Sequence, residues 1–376
     1  MVLESWRRPS GGNMHWFNMK HTLLLSFVTF KMLEWTSVML PLWSLMAYAL
    51  ILASCYWFGF VACRWVKRYK LATTIASYKK AVVITGCDSS GSNMLARKLA
   101  TERGFQVLAT FTNPGSSEAQ RLSKIPNIDV IEMDSTNEES CSRARELIER
   151  KVEASGNYLW AIVCCENSCG TAEIEWQDMS SIQRIVDVNI VGTIRTVKTF
   201  IPNLRKTKGR IVIATSVLGQ LSVQGLVVYS MTKAALTSFA EGLRREMQVW
   251  DVDVCTVQLS DPDCDSKMIR RSEEEFSQRV AIADDVREDY GREYFGEFFR
   301  SMSRFSERFL DAQPNAAIDV LTHAVTTVWP EVHYRSSDWT RHLINTALDY
   351  APTEVIDLYL EKLLEKNFVP NAISKA

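Results

Sequence analysis

From residue 81 onward, strands alternate with helices, and that alternation limits the chain to few architectures. Apolar runs at residues 81–84 (AVVI), 105–110 (FQVLAT), 128–133 (IDVIEM), 159–165 (LWAIVCC), 210–215 (RIVIAT) and 253–259 (DVCTVQL) read as strands. Helical stretches are expected at 93–103, 116–123, 141–152, 178–200 and 228–249. Short runs with little polar interruption suit strands buried on both faces. Strand–helix–strand units of this kind predict an α/β fold, a doubly wound parallel sheet with helices on both sides. Ligands in such sheets bind outside the carboxyl ends of the strands.

A second feature precedes the sheet. No charged residue occurs from Trp35 to Cys63. Within that stretch, Val38–Cys63 is long enough to cross the hydrocarbon core as a helix, which takes about 20 apolar residues. Trp43, Tyr56, Trp57 and Trp65 supply rings for the interfaces, and Pro41 sits near the start, where a helix tolerates it. A shorter apolar run, Leu23–Leu33, is broken by Lys31. It reads equally as an interfacial helix, a second short insertion or part of a targeting sequence.

Charge sharpens the boundary. The whole chain of 376 residues carries a net charge of −1. Residues 1–70 hold eight cations (Arg7, Arg8, Lys20, Lys31, Arg64, Lys67, Arg68, Lys70) against Glu4 and Glu34, so the rest is acidic overall. Arg64, Lys67, Arg68 and Lys70 follow the span directly, which puts that end on the cytosolic side. The expected organisation is an anchor over 1–70, with its span at about 38–63, and a catalytic domain over 71–376. Within the latter, a substrate loop is expected at about 263–310 and a helical C-terminal region at about 330–376. No basic excess marks a nucleic-acid binder. The nine cysteines are scattered and odd in number, with only Cys164, Cys165 and Cys169 close together. Their spacing fits neither a disulfide framework nor a metal site; it suits buried thiols in a reducing compartment.

The residues at the carboxyl ends of the expected strands carry the chemistry. After the first strand comes Thr85-Gly86-Cys87-Asp88-Ser89-Ser90-Gly91-Ser92. A glycine turn running into a helix N-terminus is a site for a pyrophosphate, although two glycines alone are a weak signal. Asp134 ends the third strand, where it is placed either for adenine contact or as a helix cap. Tyr229 and Lys233 are four apart on one expected helix and so share a face. A lysine beside a phenol favours the phenolate, which suits acid–base work on an alcohol or ketone oxygen. Ser216 ends the fifth strand and can hydrogen-bond that oxygen. Asn189, in the preceding helix, is placed to hold a water leading to Lys233. With 11 tyrosines in the chain, a Tyr-x-x-x-Lys match arises by chance on the order of once. What gives this one weight is its order relative to the strands.

These segments resemble the short-chain dehydrogenase/reductase family. TGCDSSGSNMLARKLATERGFQVLAT (85–110) and KGRIVIATSVLGQLSVQGLVVYSMTKAALTSFAEGLRREM (208–247) carry the likeness. YGREYF (290–295) and HYRSSDWTRHLINTALDYAPTEVIDLYL (333–360) narrow it to the branch of retinol, hydroxysteroid and 3-hydroxybutyrate dehydrogenases. The likeness covers roughly 75–375. It implies a Rossmann-type fold, an Asn189–Ser216–Tyr229–Lys233 tetrad, and a cofactor site drawing on Thr85, Gly86, Asp88, Ser90, Gly91, Ser92, Asp134, Tyr229, Lys233 and Pro262. Three motifs depart from the family pattern. Ser90 and Ser92 stand where glycines are expected, and a β-carbon there would crowd a pyrophosphate, with Gly91 offset by one residue as compensation. Cys164-Cys165-Glu166-Asn167 replaces Asn-Asn-Ala-Gly and adds a charge near the nicotinamide end. Pro262-Asp263 replaces Pro-Gly.

Two function classes follow. One is a membrane-anchored oxidoreductase, using NAD in preference to NADP because no basic residue follows Thr110. It would act on a lipophilic, steroid- or retinoid-like alcohol or ketone, or alternatively on a small hydroxy acid. The other is a non-catalytic descendant that keeps the fold as a binding or scaffold module. In the first reading, Tyr294, Phe295, Phe298, Phe299 and Phe305 either line the substrate pocket or belong to the core. The membrane is that of the endoplasmic reticulum, or alternatively of mitochondria, with the catalytic domain cytosolic. A homodimer fits the family, and neither a metal nor a nucleic acid is expected.

Overall fold

The computed structural model describes residues 39–70, 74–259, 284–309, 314–336, 344, 346–348, 350–364 and 368–374. Val38, the run Leu23–Leu33, the Pro262-Asp263 pair and the first part of the expected substrate loop lie outside these residues. The chain divides into two compact units, Met1–Ala72 and Thr73–Ala376.

The first unit contributes one helix, α1 (Met39–Lys70). Its segment Trp43–Cys63 is long and apolar enough to cross a membrane, and its side chains are exposed.

The second unit is built on seven strands in the order β3-β2-β1-β4-β5-β6-β7, all paired in parallel. In chain order they are β1 (Lys80–Ile84), β2 (Gln106–Phe111), β3 (Ile128–Glu132), β4 (Tyr158–Cys164), β5 (Arg210–Ser216), β6 (Asp253–Leu259) and β7 (His333–Arg335). The helices are α2 (Ser90–Thr101), α3 (Ser117–Leu122), α4 (Glu138–Ala154), α5 (Met179–Val186), α6 (Thr193–Thr207), α7 (Val227–Met247), α8 (Asp284–Tyr290), α9 (Arg292–Phe309), α10 (Pro314–Thr326), α11 (Thr353–Leu364) and α12 (Asn371–Ser374).

Period-2 alternation divides the strand side chains between two cores. Val82, Ile84, Val107, Ala109, Val163 and Val212 face one side, where Leu95 and Leu99 of α2 and Ile318 and Leu321 of α10 cover them. Ala81, Val83, Leu108, Ile162, Ile211 and Ile213 face the other, under Ile148 of α4, Phe200 of α6 and Leu236 of α7. Each fully buried aliphatic side chain of this kind contributes roughly 1.5–3 kcal/mol of transfer free energy. The strands therefore lack a polar face, which is why they read as continuous apolar runs.

Two elements differ from the sequence expectation. The helix expected over 178–200 is interrupted: Asp187–Gly192 forms a π-type turn between α5 and α6. The C-terminal region expected to be helical includes a strand, β7, in register with Thr256–Gln258 of β6. Three residues are too few to show a period of two. The strand order reverses between β1 and β4, the switch point where such sheets open a crevice.

Candidate active site

A cleft enclosing about 790 Å³, its open mouth included, lies at this switch point. It is lined by Ser89–Ser92 and Met94 at the start of α2, by Cys165 and Asn167 after β4, and by Ala214–Ser216 at the end of β5. Tyr229 and Lys233 of α7, Leu259 of β6, and Ala317, Ile318 and Leu321 of α10 complete it. The strand ends and the first two turns of α7 thus bring Ser216, Tyr229 and Lys233 to the same cavity as the turn after β1. These residues are all nearly buried, Tyr229 at 4%, Lys233 at 3% and Ser216 at 5% exposure. The Lys233 ammonium lies 5.4 Å from the centre of the Tyr229 ring.

Close packing holds this arrangement. Ser216 Oγ accepts a hydrogen bond from Leu218 N at 3.2 Å and so caps the short 3₁₀ turn Val217–Gly219. A β-carbon at Gly219 would stand 2.8 Å from Lys233 C and 2.9 Å from Ala234 N, so only glycine lets the turn press against α7. The sequence reading missed this residue, because a turn glycine looks alike whether or not a helix lies over it.

Asn189 is fully buried in the π-type turn. Its Oδ1 accepts from Ser168 N at 2.7 Å, and its Nδ2 donates to Ser168 O at 2.8 Å and to Thr232 Oγ1 at 3.0 Å. Thr232 Oγ1 in turn donates to Tyr229 O at 2.7 Å. The Asn189 amide thus ties the segment after β4 to the helix bearing Tyr229 and Lys233. That leaves the water expectation to its main-chain carbonyl, which already accepts from Thr193 Oγ1 at 2.8 Å.

The turn after β1 fits a dinucleotide pyrophosphate. Gly86 has φ +64°, and a β-carbon there would stand 2.8 Å from Cys165 O, so this position needs glycine both for conformation and for space. Ser89 caps α2 through its side chain, leaving the helix N-terminus facing the cleft. Ser92 is 3% exposed, and its hydroxyl donates to Gly86 O at 2.6 Å, turned back into the loop. Its hydroxyl is thus held within the loop, while its β-carbon remains at the cleft wall. Ser90 is exposed in the first turn of the helix.

Other expected cofactor residues serve the frame of the site. Thr85 Oγ1 joins β1 to the end of β4 through Val163 O and Cys165 N, both at 3.3 Å. Asp134 Oδ1 accepts from Thr136 N at 2.9 Å and Thr136 Oγ1 at 2.7 Å, an Asx turn, while Asn137 caps α4. Asp88 Oδ2 reaches the end of β2, accepting from Thr112 N and Thr112 Oγ1 at 3.1 Å each. The sequence offered no acid at that strand end; the loop supplies one from 24 residues away. Pro262 lies outside the described residues.

Glu166 departs from expectation in another way. It is 6% exposed; Oε1 accepts from Thr196 Oγ1 at 2.9 Å, and Oε2 has no hydrogen-bond partner. Burial raises its pKa above the ordinary carboxylate value, against smaller opposing effects of Thr85, Thr196 and Lys233. Burial, together with Glu166, also pushes the Cys165 thiol up to about 12, so it is inert at neutral pH.

Tyr294, Phe295, Phe298, Phe299 and Phe305 are buried together with Trp176, Val217, Leu218 and Tyr229. Trp176 meets Phe295 edge-on at 4.6 Å and Phe298 at 4.9 Å. None of the five is among the described lining residues of the cleft; with Trp176 and Tyr229 they form a hydrophobic cluster of their own.

Residues 80–275 match the family model for short chain dehydrogenases. The chain is 28% identical over 308 residues to 17-beta-hydroxysteroid dehydrogenase type 6 of Rattus norvegicus, covering 79% of this chain and 92% of that protein. It is 28% identical to retinol dehydrogenase 16 of Mus musculus, covering 75% and 87%. To mitochondrial D-beta-hydroxybutyrate dehydrogenase of Bos taurus the identity is 30%, covering 71% and 80%. Among solved structures, a short-chain dehydrogenase from Streptomyces avermitilis superimposes with a TM-score of 0.55 at 18% identity, covering 78% of this chain and all of that one.

Proposed function

This chain belongs to the short-chain dehydrogenase family, and from that premise we propose that it is a membrane-anchored oxidoreductase acting on a lipophilic, steroid- or retinoid-like alcohol or ketone. The observation that carries this reading is the single cleft joining the N-terminus of α2 to Ser216, Tyr229 and Lys233. A nicotinamide cofactor held by the turn after β1 and the N-terminus of α2 would supply or accept hydride. Ser216 hydrogen-bonds the substrate oxygen and fixes its place. Tyr229 gives that oxygen a proton or takes one from it, and the Lys233 ammonium favours the phenolate that this requires. Asn189 positions the helix rather than touching substrate.

The lining favours a lipophilic substrate over a hydroxy acid. Met94, Leu259, Ile318 and Leu321 are apolar, and Lys233 is the one cation among the described lining residues. The relatives named for steroid and retinol dehydrogenation support the same class. NAD is favoured over NADP because the Asp88 carboxylate occupies the end of β2, where a 2′-phosphate would meet like charge. Trp43–Cys63 supplies the anchor, and the four cations after it favour a cytosolic catalytic unit on the endoplasmic reticulum.

Cofactor titration tests the reading. The full chain in detergent should bind NADH more tightly than NADPH, and Asp88→Asn should narrow the difference. Tyr229→Phe should lower kcat by about 10³-fold or more while leaving NADH affinity unchanged. Failure to bind either cofactor at millimolar concentration would end the dehydrogenase assignment. Retained turnover in Tyr229→Phe would remove that residue from the chemistry. Digestion of the catalytic unit by protease added to intact microsomes tests its cytosolic exposure.

A further inference from the structure

In a parallel sheet every strand starts at the same edge, opposite the carboxyl ends that form the cleft. Five aromatic side chains are exposed among the described residues of the second unit, and four of them stand at this amino-terminal edge. Tyr78 precedes β1, Tyr158 opens β4, Trp250 precedes β6 and Trp329 precedes β7. Val249, Val328 and Val332 are exposed beside them. These residues are set in rigid structure. Thr74 bridges Thr327, and Ile75 N donates to Thr326 O at 2.6 Å. The Arg205 guanidinium lies over the Trp250 ring at 3.4 Å, and Lys80 Nζ is 5.5 Å from the centre of the Tyr158 ring.

The same edge carries an unbalanced positive charge. Lys79, Lys80, Arg103, Lys124, Arg205 and Lys206 precede or end elements there and make no ion pair among the described residues. The nearby acids Asp129, Asp251 and Asp253 pair with Lys151, Lys208 and Arg210, and Glu153, Glu246 and Glu331 at the same edge offset part of the charge, leaving a smaller positive excess. Helix C-termini attract cations, which accounts for charge at this edge but not for exposed tryptophan and tyrosine. Aromatic rings interleaved with unpaired cations match the headgroup region of a bilayer with anionic lipid.

Chain connectivity says which membrane is within reach. The apolar segment ends at Cys63, its helix ends at Lys70, and the chain is fixed to the amino-terminal edge from Thr74. Seven helical residues and four more span at most about 25 Å. We propose that this edge, through Tyr78, Tyr158, Trp250, Trp329 and the cations around them, rests on the anionic surface of the bilayer that holds the anchor. The proposal rests on Trp43–Cys63 spanning that bilayer.

Hydrogen exchange of the full chain tests it in three settings: detergent micelles, phosphatidylcholine nanodiscs, and nanodiscs containing about one-third phosphatidylserine. The exposed amides of 76–79, 248–251 and 328–332 should exchange about tenfold more slowly in the anionic discs than in detergent, and half a molar salt should reverse much of this. Charge reversal at Lys79, Arg103 and Lys206, or Trp250→Ser with Trp329→Ser, should abolish the protection and leave cofactor affinity unchanged. Equal exchange in all three settings overturns the proposal. So does protection at the opposite edge, over 89–94 and 226–228. Protection in detergent that rises with protein concentration overturns it in favour of a second copy of the chain. Loss of the anchor premise shows separately, as failure of the chain to co-purify with the discs.

Discussion

Glu166 sits where β4 leaves the sheet, with one carboxyl oxygen bonded to Thr196 and the other without a partner. Burial raises its pKa above the unfolded value of 4.5. Below that value both the folded and the unfolded chain hold the proton, and the residue costs nothing. As pH rises, the unfolded chain loses its proton first, so stability falls until the folded pKa is also passed. Glu166→Gln keeps the acceptor for Thr196 and has no such slope. Its advantage over the native chain should grow as pH rises above about 4.5 and level off once the folded acid ionises. Urea denaturation across the neutral range measures it, and parallel stability curves would contradict the raised pKa of the buried acid. Arg210 is the opposite case, a buried charge whose bonds are nearly all made. At 1% exposure it donates to Ala324 O at 2.6 Å, to Val325 O at 3.3 Å and to Thr327 O at 2.9 Å, and it pairs with Asp253 at 2.9 Å. It closes the C-terminus of α10 onto the sheet. Arg210→Met should cost about 2–3 kcal/mol, because it leaves carbonyl acceptors of the α10 C-terminus without their donor while Asp253 is half exposed, and Arg210→Lys should recover only part, because one ammonium cannot reach all four acceptors. Denaturation midpoints decide; a neutral Met variant would remove the clamp from the account.

At the scale of elements, the tetrad depends on how closely two backbones meet. Gly219 lies against Lys233 and Ala234 at distances no β-carbon tolerates. Gly219→Ala must push the 3₁₀ turn away from α7 and part Ser216 from Tyr229. A displacement near 1 Å should lower kcat by about 10²-fold, with little change in NADH affinity. Gly242→Ala is the control: it lies in the same helix with nothing within 4 Å, and it should keep full activity and gain a few tenths of a kcal/mol or more. Equal effects of the two would show that the turn is not what positions Ser216. This contrast also marks what the sequence could tell. The strands from β1 to β6 were legible because burial on both faces leaves an unbroken apolar run. Ser216, Tyr229 and Lys233 were legible because their order along the chain follows that of the strand ends. The π-type turn that turns Asn189 inward was not, since one extra residue in a helical turn barely alters a 3.6-residue pattern. The inward course of Glu166 and the reach of Asp88 to Thr112 were also hidden. Both depend on contacts with Thr196 and Thr112, which lie 30 and 24 residues away.

At the scale of the whole molecule, the two edges of one sheet are given opposite tasks. The aromatic and cationic amino-terminal edge is proposed to meet the bilayer, and the cleft opens at the carboxyl edge. Strands of five to seven residues separate them, which at about 3.3 Å per residue is close to 20 Å. With this edge on the headgroups, the cleft would open about a strand length above them. A lipophilic substrate would then have to leave the bilayer before it reaches Tyr229. Desorption of such molecules is slow because each buried CH₂ costs about 0.8 kcal/mol on transfer to water. Turnover of a steroid- or retinoid-like alcohol supplied in vesicles should therefore rise several-fold when a soluble carrier such as a cyclodextrin is added. The gain should vanish when the same alcohol is presented in free solution below its solubility limit. A carrier that only competes for substrate, lowering the rate at every concentration, would mean that the cleft draws directly on the bilayer, and the orientation would have to be reversed.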